Sequence, residues 1–222
     1  MFGLTNVNAP PPPTQTIRDT LFDDAPMNAW PAEPSEHEPW STFIRARDAV
    51  AAENPNEAVA AWRAIVNTPG LESRHYGQAW HYLRQHGVQP SSTDSKRLLG
   101  VVLEIHLDTG VDLLAAYPER NARFYHGGGR GVIWEHPDDS LDTEIDTLLA
   151  TSQSVLNAIG PWTEARPAPP PMHHVRLNFL SPAGLHFGQA PLATFEKDPM
   201  AGPVLAAGVT LMRAMVDKSE QR

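Results

Sequence analysis

Cysteine is missing from the 222 residues. That absence excludes disulfides, Cys-ligated zinc, iron–sulfur clusters and thiol catalysis. Basic charge is scarce: 17 Lys and Arg face 26 Asp and Glu, a formal balance of −9. Nucleic acids and anionic bilayers are held by cations that neutralise phosphates, so neither is an expected partner. No apolar run approaches the ~18 residues of a membrane span. The most apolar stretch, Pro203–Val216, is shorter and is interrupted by Gly208 and Arg213. The first residues lack the basic and apolar regions of a secretory signal, so a cytoplasmic protein of bacterial type is expected. Also missing are a Gly-x-Ser-x-Gly elbow, a glycine-rich loop ending in Lys-Ser or Lys-Thr, and a His-Glu-x-x-His pair. No cofactor and no metal are expected.

What is present begins with proline. Eight of the 22 prolines fall between Asn8 and Pro39, including the run Pro10–Pro13. Proline fixes φ and removes a donor, so residues 1–40 are expected to form an extended arm outside any sheet or helix. Phe22, Met27, Trp30 and Trp40 punctuate it, which gives the arm apolar payload to bury on its own domain or on a partner subunit. Residues 41–90 read as a helical region. Ser41 is a candidate cap, followed by Phe43, Ala46, Ala49 and Val50 at spacings of three and four. Asn54-Pro55 reads as a cap and first helical residue before Ala58, Val59, Trp62, Ile65 and Val66. A third helix carries Tyr76, Ala79, Trp80 and Leu83 and stops at Gly87. The pair bearing Trp62 and Trp80 faintly resembles a tetratricopeptide unit, but no second copy follows at a fixed period, so a solenoid is not expected.

Residues 91–222 read as a sheet domain, forming one unit with the helical region. From Val101 the period drops to two, and Asp108-Thr109-Gly110 turns the chain. A three-residue loop with Gly110 left-handed would set Leu107 opposite Val111, Ile105 opposite Leu113 and Leu103 opposite Ala115. Turns at Pro118–Asn121 and Gly127–Arg130 complete a four-stranded meander. A helix opening near Asp138–Ser140 carries Leu141, Ile145, Leu148, Leu149, Ser152, Val155, Leu156 and Ile159 on one face. Val175–Leu180 and Leu185–Gln189 form a C-terminal hairpin, and the helix over about 199–218 is apolar nearly all round. A helix of that kind is expected to be covered on every side. The order predicts an α+β fold: an antiparallel sheet of about six strands with packed helices. In element order, though not in motif, it is similar to profilin-like and roadblock-like dimerisation modules, which implies fold and little function.

Four residues could carry acid–base chemistry. Glu104, His106 and Asp112 would share a strand face in this register, with His106 opposite Asp112, and a carboxylate beside an imidazole can make a general base. The Leu107-Asp108-Thr109-Gly110 loop, with Gly127–Gly131 beyond it, resembles the active loop and flap of retroviral-type aspartic proteases. That resemblance implies a symmetric dimer whose two Asp108 side chains share a proton. It covers about a tenth of the chain, and the hydrophobic-hydrophobic-Gly segment of that family has its nearest match at Ala158–Gly160, at a helix end. Asp-Thr-Gly is equally an ordinary hairpin connection. A metal site could be assembled only through tertiary contact, for example from His126, His136 and His186. The aromatic residues Trp30, Trp40, Tyr125, Trp134 and Trp162 are candidates for partner binding. The expected function is a non-catalytic interaction or assembly module that dimerises or docks to a protein partner. The alternative is a small hydrolase using Glu104, His106 and Asp112 or the Asp108 loop.

Overall fold

A computed structural model describes residues 13–220 of the chain, with side chains from residue 17 onward. Its sheet has six antiparallel strands: β1 (Gly100–Leu107), β2 (Gly110–Ala116), β3 (Ala122–Tyr125), β4 (Gly131–Trp134), β5 (His174–Ser181) and β6 (Gly184–Pro191). The spatial order is β4-β3-β2-β1-β5-β6, so the meander and the C-terminal hairpin join where β5 pairs with β1. Among the described residues there are seven α-helices: α1 (Pro13–Leu21), α2 (Trp40–Ala51), α3 (Pro55–Asn67), α4 (Ser73–Gln85), α5 (Asp142–Ala158), the short α6 (Leu192–Phe195) and α7 (Ala201–Glu220). The protein is α+β. No helix among the described residues is long and apolar enough to cross a membrane.

α5 and α7 cover one face of the sheet. Ile145, Leu148 and Leu156 of α5 and Val204, Leu211 and Met215 of α7 are fully buried against Val101, Leu103, Leu114, Leu177 and Phe179. α7 crosses closest at Gly208, where a Cβ would stand 2.3 Å from a methyl of Leu103. Only a residue without a side chain allows that approach. α7 is not covered on every side as its composition implies: Pro203, Ala206, Thr210 and Arg213 remain exposed along one edge. Short side chains on that edge let the helix be apolar in sequence yet face water.

The opposite sheet face is also buried. Val102, Leu113, Ala115 and Leu180 lie under Leu21 and Phe22, with Tyr76 and Trp80 of α4 packed against them. The expected extended arm is therefore a cover. Pro13 opens α1 at the first helical turn, where its missing N–H has no intrahelical acceptor to satisfy. The arm's start, residues 1–12, lies outside the described residues. Further along, Trp30 and Trp40 stack at 5.2 Å and pack with Phe43 in the core of α2–α4. That core centres on the fully buried Trp62, Tyr82 and Leu83. Asn54 caps α3 as expected, its side chain accepting from the Glu57 N–H with Pro55 next. α2 starts one residue before Ser41, with Pro39 at its cap position.

The β1–β2 register is one residue away from the expected one. Leu107 pairs with Gly110, His106 with Val111, Ile105 with Asp112 and Leu103 with Leu114, around a two-residue turn at Asp108-Thr109. Gly110 has φ +117° and its Cα packs on the backbone of Gly127, which favours the tight connection.

Candidate functional site

The register decides the fate of the acid–base candidates. Adjacent residues on a strand point to opposite faces, so a slip of one separates Asp112 from Glu104 and His106. Glu104 and His106 point toward the arm. Asp112 points toward α7, and its Oδ1 accepts from the Gly127 N–H at 2.8 Å, pinning the β3–β4 turn. His106 Nδ1 donates to the Pro170 carbonyl at 2.7 Å, and the His106 carbonyl accepts from His173 N–H, also at 2.7 Å. Both bonds clip the proline-rich connector between α5 and β5 (residues 159–173) to the end of β1. The Asp108 side chain is 84 % exposed at the hairpin tip, 3.6 Å from His173.

Glu104 has no exposure at all and is the centre of a buried charge cluster. Its Oε1 accepts from Arg18 Nε at 2.8 Å; its Oε2 accepts from Arg176 Nη1 and Asn178 Nδ2, both at 3.3 Å. Arg176 also donates to the Ala168 carbonyl at 2.7 Å and to Gln189, and Arg18 donates to the Pro167 carbonyl at 3.0 Å. Arg166 lies 4.7 Å from the Phe22 ring centroid and pairs with Asp19 and Asp24. Every carboxylate in this group is engaged by a guanidinium. The cluster ties α1, β1, β5 and the connector into one piece, and its geometry is that of a fastening.

The aromatic candidates separate as well. Trp134 is 3 % exposed in the sheet core; Trp30, Trp40 and Tyr125 are half-buried against their own chain. Trp162 alone of the five is exposed, at 40 %, with its ring 5.1 Å from that of Phe187. Of the histidines weighed for a metal, His126 accepts from Gly128 N–H, His136 meets Asp142 at 2.9 Å, and His186 is buried 3.1 Å from the Ser181 hydroxyl. They stand at three separate places. Among the described residues no group of three or more His, Asp or Glu is placed to hold a metal ion.

Two concavities among the described residues bear on function. The first, about 480 Å³, opens between α4, the β5–β6 turn, the connector and the arm. Asp23, Asp24, His81, Arg84, Trp162 and Arg166 stand on its walls. Asp23 is held at φ +53° and is 5 % exposed, seated where α4 has Gly77; a Cβ there would meet its Oδ2 at 2.2 Å. Burial raises the Asp23 carboxyl well above the ordinary carboxylate range, and the Asp24 charge adds to the effect. Burial, reinforced by Arg84 and Arg166, lowers His81 to about 4. Burial also lowers Arg84 to about 10, against the attraction of Asp24 and Asp23. None of these residues is marked by a local motif, since they come from three separate stretches of chain.

The second concavity, about 560 Å³, lies between the β1–β2 hairpin and the α6–α7 corner. Ile105, Leu107, Leu192, Leu205, Val209 and Met212 make it apolar, and Glu196 and Arg213 stand exposed on its rim. The sequence marks α7 and β1 as apolar, but not that they border a groove. Compared with known proteins, the chain matches no family model, no curated sequence and no solved structure.

Proposed function

We propose that the chain is a non-catalytic assembly module that pairs with a second copy of itself through the groove beside α7. The observation that carries this reading is the groove's rim. An acid, Glu196, and a base, Arg213, border an apolar trough, and neither has an ion-pair partner among the described residues. In a two-fold interface the same patch meets itself, so residue i faces j and j faces i. Glu196 of each copy then meets Arg213 of the other, while Val209 and Met212 lose their remaining exposure between the two α7 helices. Ala206 and Thr210 on the outer edge are short enough for the helices to approach. The occupation of Glu104, His106 and Asp112 by bonds that hold the fold together supports a role in contact over one in proton transfer.

Light scattering on the full chain tests the reading. A mass near that of two chains is expected at micromolar concentration. Glu196→Arg should drive it to one chain, and Glu196→Arg with Arg213→Glu should restore the pair. A single-chain mass for the unaltered protein at 100 micromolar on the order of magnitude used for weak dimers, or a Glu196→Arg protein that still pairs, would refute it.

A further inference from the structure

We propose that the cavity below Trp162 binds a small planar organic carboxylate, with the Arg84 guanidinium as its anion anchor. The site is on the other side of the sheet from the α7 groove, and the proposal does not depend on self-association.

Arg84 donates Nη1 to the Pro182 carbonyl at 2.7 Å, and its guanidinium lies beside Gly184. It forms no ion pair among the described residues, and its other donors have no protein acceptor there. Enough water is excluded to weaken its hold on the proton, yet at about 10 it stays charged at neutral pH. A half-desolvated guanidinium with free donors is matched best by a carboxylate, whose two oxygens fit its fork.

The neighbouring walls are compatible with an arriving anion. His81 is neutral, and the fall in its proton affinity is caused in part by the positive fields of Arg84 and Arg166. Asp24 is taken up by Arg166. Burial raises the Asp23 carboxyl well above the ordinary carboxylate range, which favours its neutral form. Its Oδ2 is buried against Gly77 without a hydrogen-bond partner among the described residues. Phe22, Leu185 and the exposed ring of Trp162 supply an apolar part of the wall, beside the polar Gln85, Ser181 and Glu164. A cavity of about 480 Å³ is in the range of small-molecule sites, which pair apolar walls with a few polar anchors. An aromatic or conjugated acid satisfies both ends: its carboxylate meets Arg84 and its ring lies along Trp162.

Calorimetric titration of the full chain with benzoate, benzamide and inorganic phosphate tests the proposal. Benzoate should saturate one site per chain. Benzamide, which has the ring without the charge, should bind at least about tenfold more weakly, as should phosphate, which has the charge without the ring. Arg84→Gln should bring benzoate down to the benzamide level while leaving benzamide unchanged. Trp162→Ala should weaken both. Thermal melting shows whether each variant is folded; if Arg84→Gln is not, Arg84→Lys keeps the charge, loses the fork, and should retain only part of the preference. Absent saturation by benzoate, equal affinity for benzoate and benzamide, phosphate binding as tightly as benzoate, or a folded Arg84 variant with unaltered benzoate affinity would each overturn it.

Discussion

Replacing Glu104 by Gln removes one negative charge and little volume, so it isolates what that charge does. Arg18 and Arg176 are 2 % and 4 % exposed, and both rest on the Glu104 carboxylate. Without it, two guanidiniums stay buried side by side, retaining only carbonyl and amide partners: Pro167, Ala168 and Gln189. Removing one partner of a buried ion pair typically costs about 3–5 kcal/mol, because the uncompensated charge cannot return to water. With an unfolding entropy of about 2.1 cal/mol/K per residue, that is a fall in melting temperature of roughly 6–11 °C for a chain of this length. Arg18→Met should cost less, since Glu104 keeps Arg176 and Asn178. Adding Arg18→Met to Glu104→Gln should recover part of the loss, because it removes one of the stranded cations. The assay is urea unfolding followed by far-ultraviolet circular dichroism, at low salt and at about 0.5 M, where an exposed pair would be screened and a buried one much less. A loss below about 1 kcal/mol for Glu104→Gln, or one that vanishes with salt, would refute the claim that this charge fastens the arm.

Asp23→Asn should stabilise the protein at pH 8. The native state raises the Asp23 proton affinity above its unfolded value of 3.8, so its contribution is fully present below that pH and is lost as pH rises through the native value. Asparagine stays neutral and tolerates the positive φ, so its advantage in urea midpoint should shrink toward pH 4; an equal effect at both pH values would contradict the burial argument. Gly110→Val should destabilise by about 1–3 kcal/mol, since a β-branched residue resists φ +117° and its Cβ would crowd Gly127. A melting temperature equal to the parent's would reject the tight turn.

The pattern of elements was legible because hydrophobic period and turn residues agree along most of the chain. Asn54-Pro55 before α3, the stripe of α5 and the paired strands about Ser181–Gly184 each carry their own local signal. The β1–β2 register was not legible, and the reason is physical. Val101, Val102, Leu103, Leu113, Leu114 and Ala115 are all buried, since both sheet faces are covered. Alternation specifies register only where one face meets water. With parity uninformative, the loop length chose the pairing, and the candidate triad chosen from that pairing split between two faces. The arm was misread for a different reason. Proline argued for an extended chain, although Ile17 and Leu21, four apart after Pro13, are also the apolar face of a short helix. Arg18, fully covered beside them, gave no sign of burial because its partner Glu104 lies 86 residues further on. The Trp162 cavity was invisible for the same reason, its parts meeting only after folding.

The seat of α1 has a consequence for synthesis. Its anchors, Glu104 and the Pro167 carbonyl, are made 86 and 149 residues after Arg18. This stretch, made before the sheet, therefore waits, with Leu21 and Phe22 in water, until β5 has emerged to finish the surface that receives it. Docking of this segment closes the structure, so a nascent chain halted before residue 174 presents an unoccupied greasy segment to whatever chaperone is near.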